Sequence, residues 1–207
     1  MCIRDRAESY ARMRQLASAL DGAGLGLGDT VSVIAANTPE MFEAHYGVPM
    51  AGCVLNTINT RLEAETIAYI LENSDCQLLI VDTAFHETVS PALASLDPVV
   101  RDRIKVVDIR DPQAGDMPHI GDQDYESFIG AGDPTYDWQM PADEWQALAL
   151  GYTSGTSGRP KGVVYHHRGA YLYCMGTAAG LALPQHPTYL YIVPMFHCNG
   201  WCHAWTM

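Results

Sequence analysis

No apolar run in this 207-residue chain approaches the ~18 residues needed to cross a bilayer, and Met1-Cys2-Ile3-Arg4-Asp5-Arg6 holds no apolar signal-peptide core. The expectation is a soluble, cytoplasmic protein with no transmembrane segment. Basic residues are scarce: 12 Lys plus Arg stand against 24 Asp plus Glu, a formal charge of −12, which argues against a general nucleic-acid binder. Cysteine is too sparse, at six residues, for a disulfide scaffold, so reduced thiols are expected. Charged residues make up only 17% of the chain against 48% hydrophobic, a balance that buries a core and excludes intrinsic disorder.

The scarcity of acid is uneven along the chain. Residues 1–144 carry every Asp and Glu, whereas residues 145–207 carry none and hold Arg159, Lys161, Arg168 and five of the eight histidines. A segment free of negative side chains can receive an anion without repelling it.

The first six residues resemble a translated sequencing-adapter scar, so we base the fold on residues 7–207. From Ala7, the residues Tyr10, Met13, Leu16, Ala17 and Leu20 recur at helical spacing until Gly22 and Gly24. Val31–Ala36 reads as a buried strand, and Thr38-Pro39-Glu40 supplies a cap, a first-turn proline and a first-turn acid for a helix to about Ala51. A helix over Thr66–Asn73, a strand over Leu78–Val81, a helical stretch over Ala84–Leu96 and a strand over Ile104–Val107 follow. Strands alternating with helices predict an α/β fold with a mostly parallel sheet flanked by helices, whose ligands lie at the carboxyl ends of strands. Prolines among acids mark 111–143 as an exposed connection with one short helix near Tyr125–Ile129.

Between the apolar runs Ala147–Leu150 and Val163–Tyr165 lies Gly151-Tyr152-Thr153-Ser154-Gly155-Thr156-Ser157-Gly158-Arg159-Pro160-Lys161-Gly162. Its glycines let backbone N–H groups turn toward one point, its hydroxyls add donors, and Lys161 adds a mobile charge, a combination suited to phosphate oxygens. It is not a Walker loop, because Pro160 precedes Lys161 and Gly162 follows it, nor a hydrolase elbow around Ser157. A flexible linker accounts for the glycine and serine but not for the Arg-Pro-Lys-Gly ending.

This loop resembles the signature loop of the adenylate-forming (AMP-binding) enzymes, with Ser157 in place of the usual threonine. Tyr191-Ile192-Val193-Pro194-Met195-Phe196-His197 resembles the family's next motif, and Cys198-Asn199-Gly200-Trp201-Cys202 is similar to fatty acyl-CoA synthetases. Residues Gly47–Leu62 resemble the branch of medium-chain and 3-methylmercaptopropionyl-CoA ligases. The resemblance implies the partial, large N-terminal domain of that fold, with the C-terminal lid domain outside the chain. It implies an acid–thiol ligase that joins a fatty or related carboxylic acid to coenzyme A through acyl-AMP, consuming ATP with Mg²⁺.

By that resemblance Thr153, Ser154, Gly155, Thr156, Ser157, Gly158 and Lys161 hold ATP, and Thr153 also lies near the metal. His197 is the candidate catalytic residue and, with Trp201, lines the acyl site, Trp201 gating it. The acidic Mg²⁺ ligand, the ribose-binding Asp and the lid Lys belong to later motifs, so the isolated 207 residues are expected to be inactive. Partners are then the acid, ATP and CoA, with a homodimer as one assembly. Two other readings stand beside this one: an inactive nucleotide-binding or interaction module, and an adenylating enzyme with a different acceptor. Cys198 reads as a small buried thiol in preference to a nucleophile, His197-Cys198 with Cys202-His203 as a poorly spaced zinc set, His166 and His167 as a strand end and helix start, and Tyr165, Tyr171 and Tyr173 as core or pocket wall.

Overall fold

The computed structural model describes residues 5–111, 115, 117–153 and 158–207. The chain runs α1 (Arg6–Gly22), β1 (Thr30–Ile34), α2 (Pro39–Met50), β2 (Val54–Thr57), α3 (Ala64–Asn73), β3 (Cys76–Asp82) and a 3₁₀ turn (Thr83–Phe85). It continues through α4 (His86–Ala94), α5 (Pro98–Arg103), β4 (Lys105–Ile109), β5 (Gln123–Asp124), α6 (Tyr125–Gly130), β6 (Ala147–Thr153), β7 (Lys161–His166), α7 (His167–Gly180), α8 (Cys198–Trp201) and α9 (His203–Thr206). The seven strands form one sheet in the order β5-β4-β3-β1-β2-β6-β7. Every pairing is parallel except β6 with β7, which turn back on each other as an antiparallel hairpin at one edge.

The parallel strands are apolar on both faces because helices cover both faces. Successive residues of β3 alternate between two cores: Leu78 and Ile80 pack with Leu16, Met41 and Val48 of α1 and α2, while Leu79 and Val81 pack with Ile67, Leu71 and Val89 of α3 and α4. Helices α1 and α2 approach closely at Gly47, where an added Cβ would lie 2.7 Å from Cδ2 of Leu16. A buried ion cluster ties this layer. Arg12 donates to Oε1 of Glu43 at 2.6 Å and to Glu126, and the Tyr125 hydroxyl donates to Oε2 of Glu43 at 2.9 Å.

Three sequence expectations differ from what is observed, and a capping contact falls in the first six residues. Strand β2 was not anticipated, because Asn56 and Thr57 interrupt its apolar run; Asn56 is nevertheless buried and donates to the Ser32 hydroxyl of β1 at 2.9 Å. Helix α5 was not anticipated either; it is a single short segment with no buried residue, so it carries no apolar periodicity. The 111–143 connection is exposed over much of its length, but Tyr125, Phe128 and Ile129 at i, i+3 and i+4 of α6 are buried against the core. Asp5, within the excluded hexapeptide, caps α1 by accepting the Glu8 N–H at 2.8 Å, and Arg6 opens the helix. Thr38 caps α2 as expected, and His166 ends β7 where His167 begins α7, with Nδ1 of His166 accepting the Gly169 N–H at 2.8 Å.

Candidate functional site

A cleft of about 450 Å³ opens at the carboxyl ends of β2 and β6. Its floor is formed by Thr57 at the end of β2, Ile58 and Asn59 just beyond it, and Gly151, Tyr152 and Thr153 at the end of β6. Gly158 and Pro160 approach from the loop, and Phe196, His197 and Cys198 from the segment before α8. None of the lining residues is acidic, so the charge asymmetry of the sequence reappears here as a surface that does not repel an anion.

The hairpin register explains how the loop is presented. Thr153 lies directly opposite Lys161 in the antiparallel pairing, so the two side chains share one face at the mouth of the loop. Gly158 holds φ +91, a left-handed conformation that a side chain would strain. Ser154, Gly155, Thr156 and Ser157, the centre of the expected phosphate loop, lie outside the described residues. The loop's far end is steadied by the Arg159 guanidinium, 5.5 Å from the centre of the Tyr69 ring on α3, and by the Tyr152 hydroxyl donating to Oδ1 of Asn73 at 2.8 Å. Burial pushes the Tyr152 phenol up to about 12, so it stays a neutral donor at physiological pH.

The structure therefore brings Thr153, Gly158 and His197 to one cleft, while Lys161 pairs with Thr153 in the hairpin without lining that cleft. Trp201 does not line this cleft; it is 54% exposed on α8. Arg168 is also elsewhere, paired with Glu144 at 2.5 Å, so it does not serve the loop. Cys198 corrects its expectation: it is exposed on the cleft wall, its Sγ 4.0 Å from Nε2 of His197, whereas Cys202 is the buried thiol. Tyr165 lines the cleft, but Tyr171 and Tyr173 are exposed on α7. Thr57, Asn59 and Thr66 carry no site signal in the sequence, and only the placement of β2 beside β6 reveals them.

The cleft fits a polyphosphate, since it combines a glycine turn and hydroxyls with no carboxylate, and Lys161 pairs with its Thr153 across the hairpin. It fits a magnesium ion less completely. Thr153 offers an oxygen, but no lining residue supplies the carboxylate that Mg²⁺ favours. Among the described residues no helix is long and apolar enough to span a membrane.

Residues 6–207 match the family described as AMP-binding enzyme. The chain is 44% identical to a peroxisomal acetate/butyrate–CoA ligase of Arabidopsis thaliana over 97% of its own length, and 44% identical to an acetate–CoA ligase of Humulus lupulus. It spans 37% of the length of each of these two relatives. Among solved structures, an acyl-CoA synthetase of Brucella canis superposes with a TM-score of 0.78 at 20% identity, covering 95% of this chain and 34% of that one. ATP-bound MatB from Rhodopseudomonas palustris superposes with a TM-score of 0.77 at 18% identity, covering 97% of this chain and 37% of that one. These likenesses establish the fold as that of the N-terminal domain of adenylate-forming enzymes.

Proposed function

The chain belongs to the AMP-binding enzyme family, and on that premise we propose that the whole protein is an ATP-dependent acyl-CoA ligase of which these residues form the first part of the N-terminal domain. The observation that carries the reading is the shared cleft. The loop ends Thr153 and Gly158 and the motif residue His197 converge at the carboxyl ends of β2 and β6, where phosphate and carboxylate must meet for adenylation.

The proposed reaction has two parts. The acid's carboxylate attacks the α-phosphate of ATP, forming acyl-AMP and releasing pyrophosphate; the thiol of CoA then displaces AMP. Little of this is covalent work by the protein, so catalysis rests on positioning and on neutralising charge. Backbone N–H groups and hydroxyls of Thr153–Gly158 hold the leaving phosphates, with Lys161 as a point charge at the loop's mouth. Thr153 is the one proposed contact of this segment to Mg²⁺. His197 faces the reacting carboxylate; Trp201, which lies outside the cleft in this structure, has no contact here that assigns it to the acyl chain.

The acid is proposed to be an aliphatic monocarboxylate. The motif Cys198–Cys202 resembles fatty acyl-CoA synthetases and Gly47–Leu62 the medium-chain branch, whereas several of the similar curated proteins are named for the shorter acids acetate, butyrate and 2-methylpropanoate. A panel of acids of graded length assayed with the full-length protein decides between them. Acid-dependent formation of acyl-CoA and AMP is the expected result; ATP binding with no acid-dependent product would favour the nucleotide-binding module instead. AMP and acyl-AMP formation without CoA consumption would favour a different acceptor.

A further inference from the structure

The residues that bring His197 to the cleft have no regular structure of their own: between α7 and α8 the chain is neither helix nor strand. Something else must fix the imidazole. Asn37, in the short link between β1 and α2, makes three hydrogen bonds to this segment. Its Nδ2 donates to the carbonyls of Tyr191 at 3.2 Å and Val193 at 3.0 Å, and its Oδ1 accepts the Met195 N–H at 2.8 Å.

The segment bends at Val193 and turns at Met195–Phe196, where the His197 N–H donates to the Pro194 carbonyl at 3.1 Å, and this path brings the polar groups of residues 191, 193 and 195 to Asn37. One carboxamide can therefore read all three. The pattern also fixes the amide orientation, because a flipped group would set oxygen against two carbonyls and NH₂ against an N–H. One residue further on, the Thr57 hydroxyl, at the end of β2, donates to the carbonyl of Phe196 at 2.9 Å. Asn37 and Thr57 stand at the carboxyl ends of adjacent parallel strands, so the sheet itself dictates the path into His197.

We propose that Asn37 and Thr57 are positioning residues that hold the 191–197 segment in the register that presents His197 to the reacting carboxylate. Neither is required to touch ATP through the glycine-rich loop. The inference rests on the acyl-CoA ligase reading for its kinetic consequence, but not for its structural one.

The test uses the full-length protein with Asn37→Asp, Asn37→Ala and Thr57→Val. Asn37→Asp keeps the acceptor for Met195 and sets a carboxylate against two carbonyl oxygens, so it isolates the lost donors. Acid-dependent pyrophosphate exchange should show KM for the acid raised about tenfold in Asn37→Asp, with KM for ATP within about twofold, following the loss of two hydrogen bonds. Thr57→Val should show the same split more weakly.

A second readout needs no turnover: the ring signals of His197 in nuclear magnetic resonance should shift and broaden, and exchange of the Met195 N–H should quicken, in Asn37→Ala. Unchanged His197 signals and unchanged Met195 exchange would overturn the proposal, as would acid and ATP constants moving together. If wild type shows no acid-dependent exchange while the His197 and Met195 signals respond, the ligase reading fails and the positioning role stands.

Discussion

Strands β1 and β7 belong to one sheet yet live in different surroundings. All five residues of β1 are buried, whereas four of the six residues of β7 are exposed, including Val163 and Val164. The contrast extends outward: β1 is enclosed by packed helices on both sides, while α7 beside β7 buries only Ala170 and exposes Tyr171, Leu172 and Met175. The first region is held by its own packing. The second is held by hairpin pairing and by side chains reaching across from the first, and this is the region that carries the loop and the cleft.

That difference should appear most strongly in the ion pairs. Arg12 neutralises a carboxylate, Glu43, that is 99% buried, so Arg12→Ala leaves an uncompensated charge and should cost about 3–5 kcal/mol in urea unfolding. Arg168→Ala, which breaks an exposed pair with Glu144, should cost no more than about 1 kcal/mol. Equal losses would mean that the two regions are equally self-sufficient. Core truncation should follow the same division: Leu79→Ala in β3 is expected to cost about 2–5 kcal/mol, and Val164→Ala on the exposed edge about 0.5 kcal/mol or less.

A smaller, pH-linked difference comes from His45 on α2, fully enclosed where the first region meets the second. Burial holds its imidazole down at about 4, against the pull of its hydrogen bond to the Met41 carbonyl at 2.7 Å. The folded state therefore binds this proton less readily than the unfolded chain. The associated stability is present above about pH 6.5 and is lost as pH falls toward 4, by roughly 3 kcal/mol in all. Unfolding titrations of His45→Phe should lack this part of the acid slope; an unchanged slope would place the protonation elsewhere. A further small effect should come from Gly158→Ala. It strains a loop residue at φ +91 and should cost about 1 kcal/mol of stability while disturbing the loop that holds the phosphates.

The two regions were also unequally legible in the sequence. Helix α2 announces itself through Thr38-Pro39-Glu40, β3 through an unbroken apolar run, and the loop through glycines, hydroxyls and Lys161 between two strands. Strand β2 is hidden because a buried strand can carry Asn56 when a neighbouring strand offers Ser32 as a partner, which only the sheet order reveals. The same holds for the hold on His197: Asn37 and Met195 are 158 positions apart, and no local pattern links a turn asparagine to three backbone groups that far away. The exposure of Cys198 differs from expectation for a related reason: composition reports what a residue prefers, whereas the surrounding chain decides what covers it.

The central claim is that the cleft between the β6–β7 loop and His197 is where an acid is adenylated. Acid-dependent exchange of labelled pyrophosphate into ATP by the full-length protein, compared with Lys161→Ala, tests it most directly. The account predicts exchange that requires a carboxylic acid and that falls in Lys161→Ala by the equivalent of about 1.5–3 kcal/mol, the worth of one charge-assisted contact. Exchange that proceeds equally without acid, or that is untouched by loss of the lysine, would contradict it.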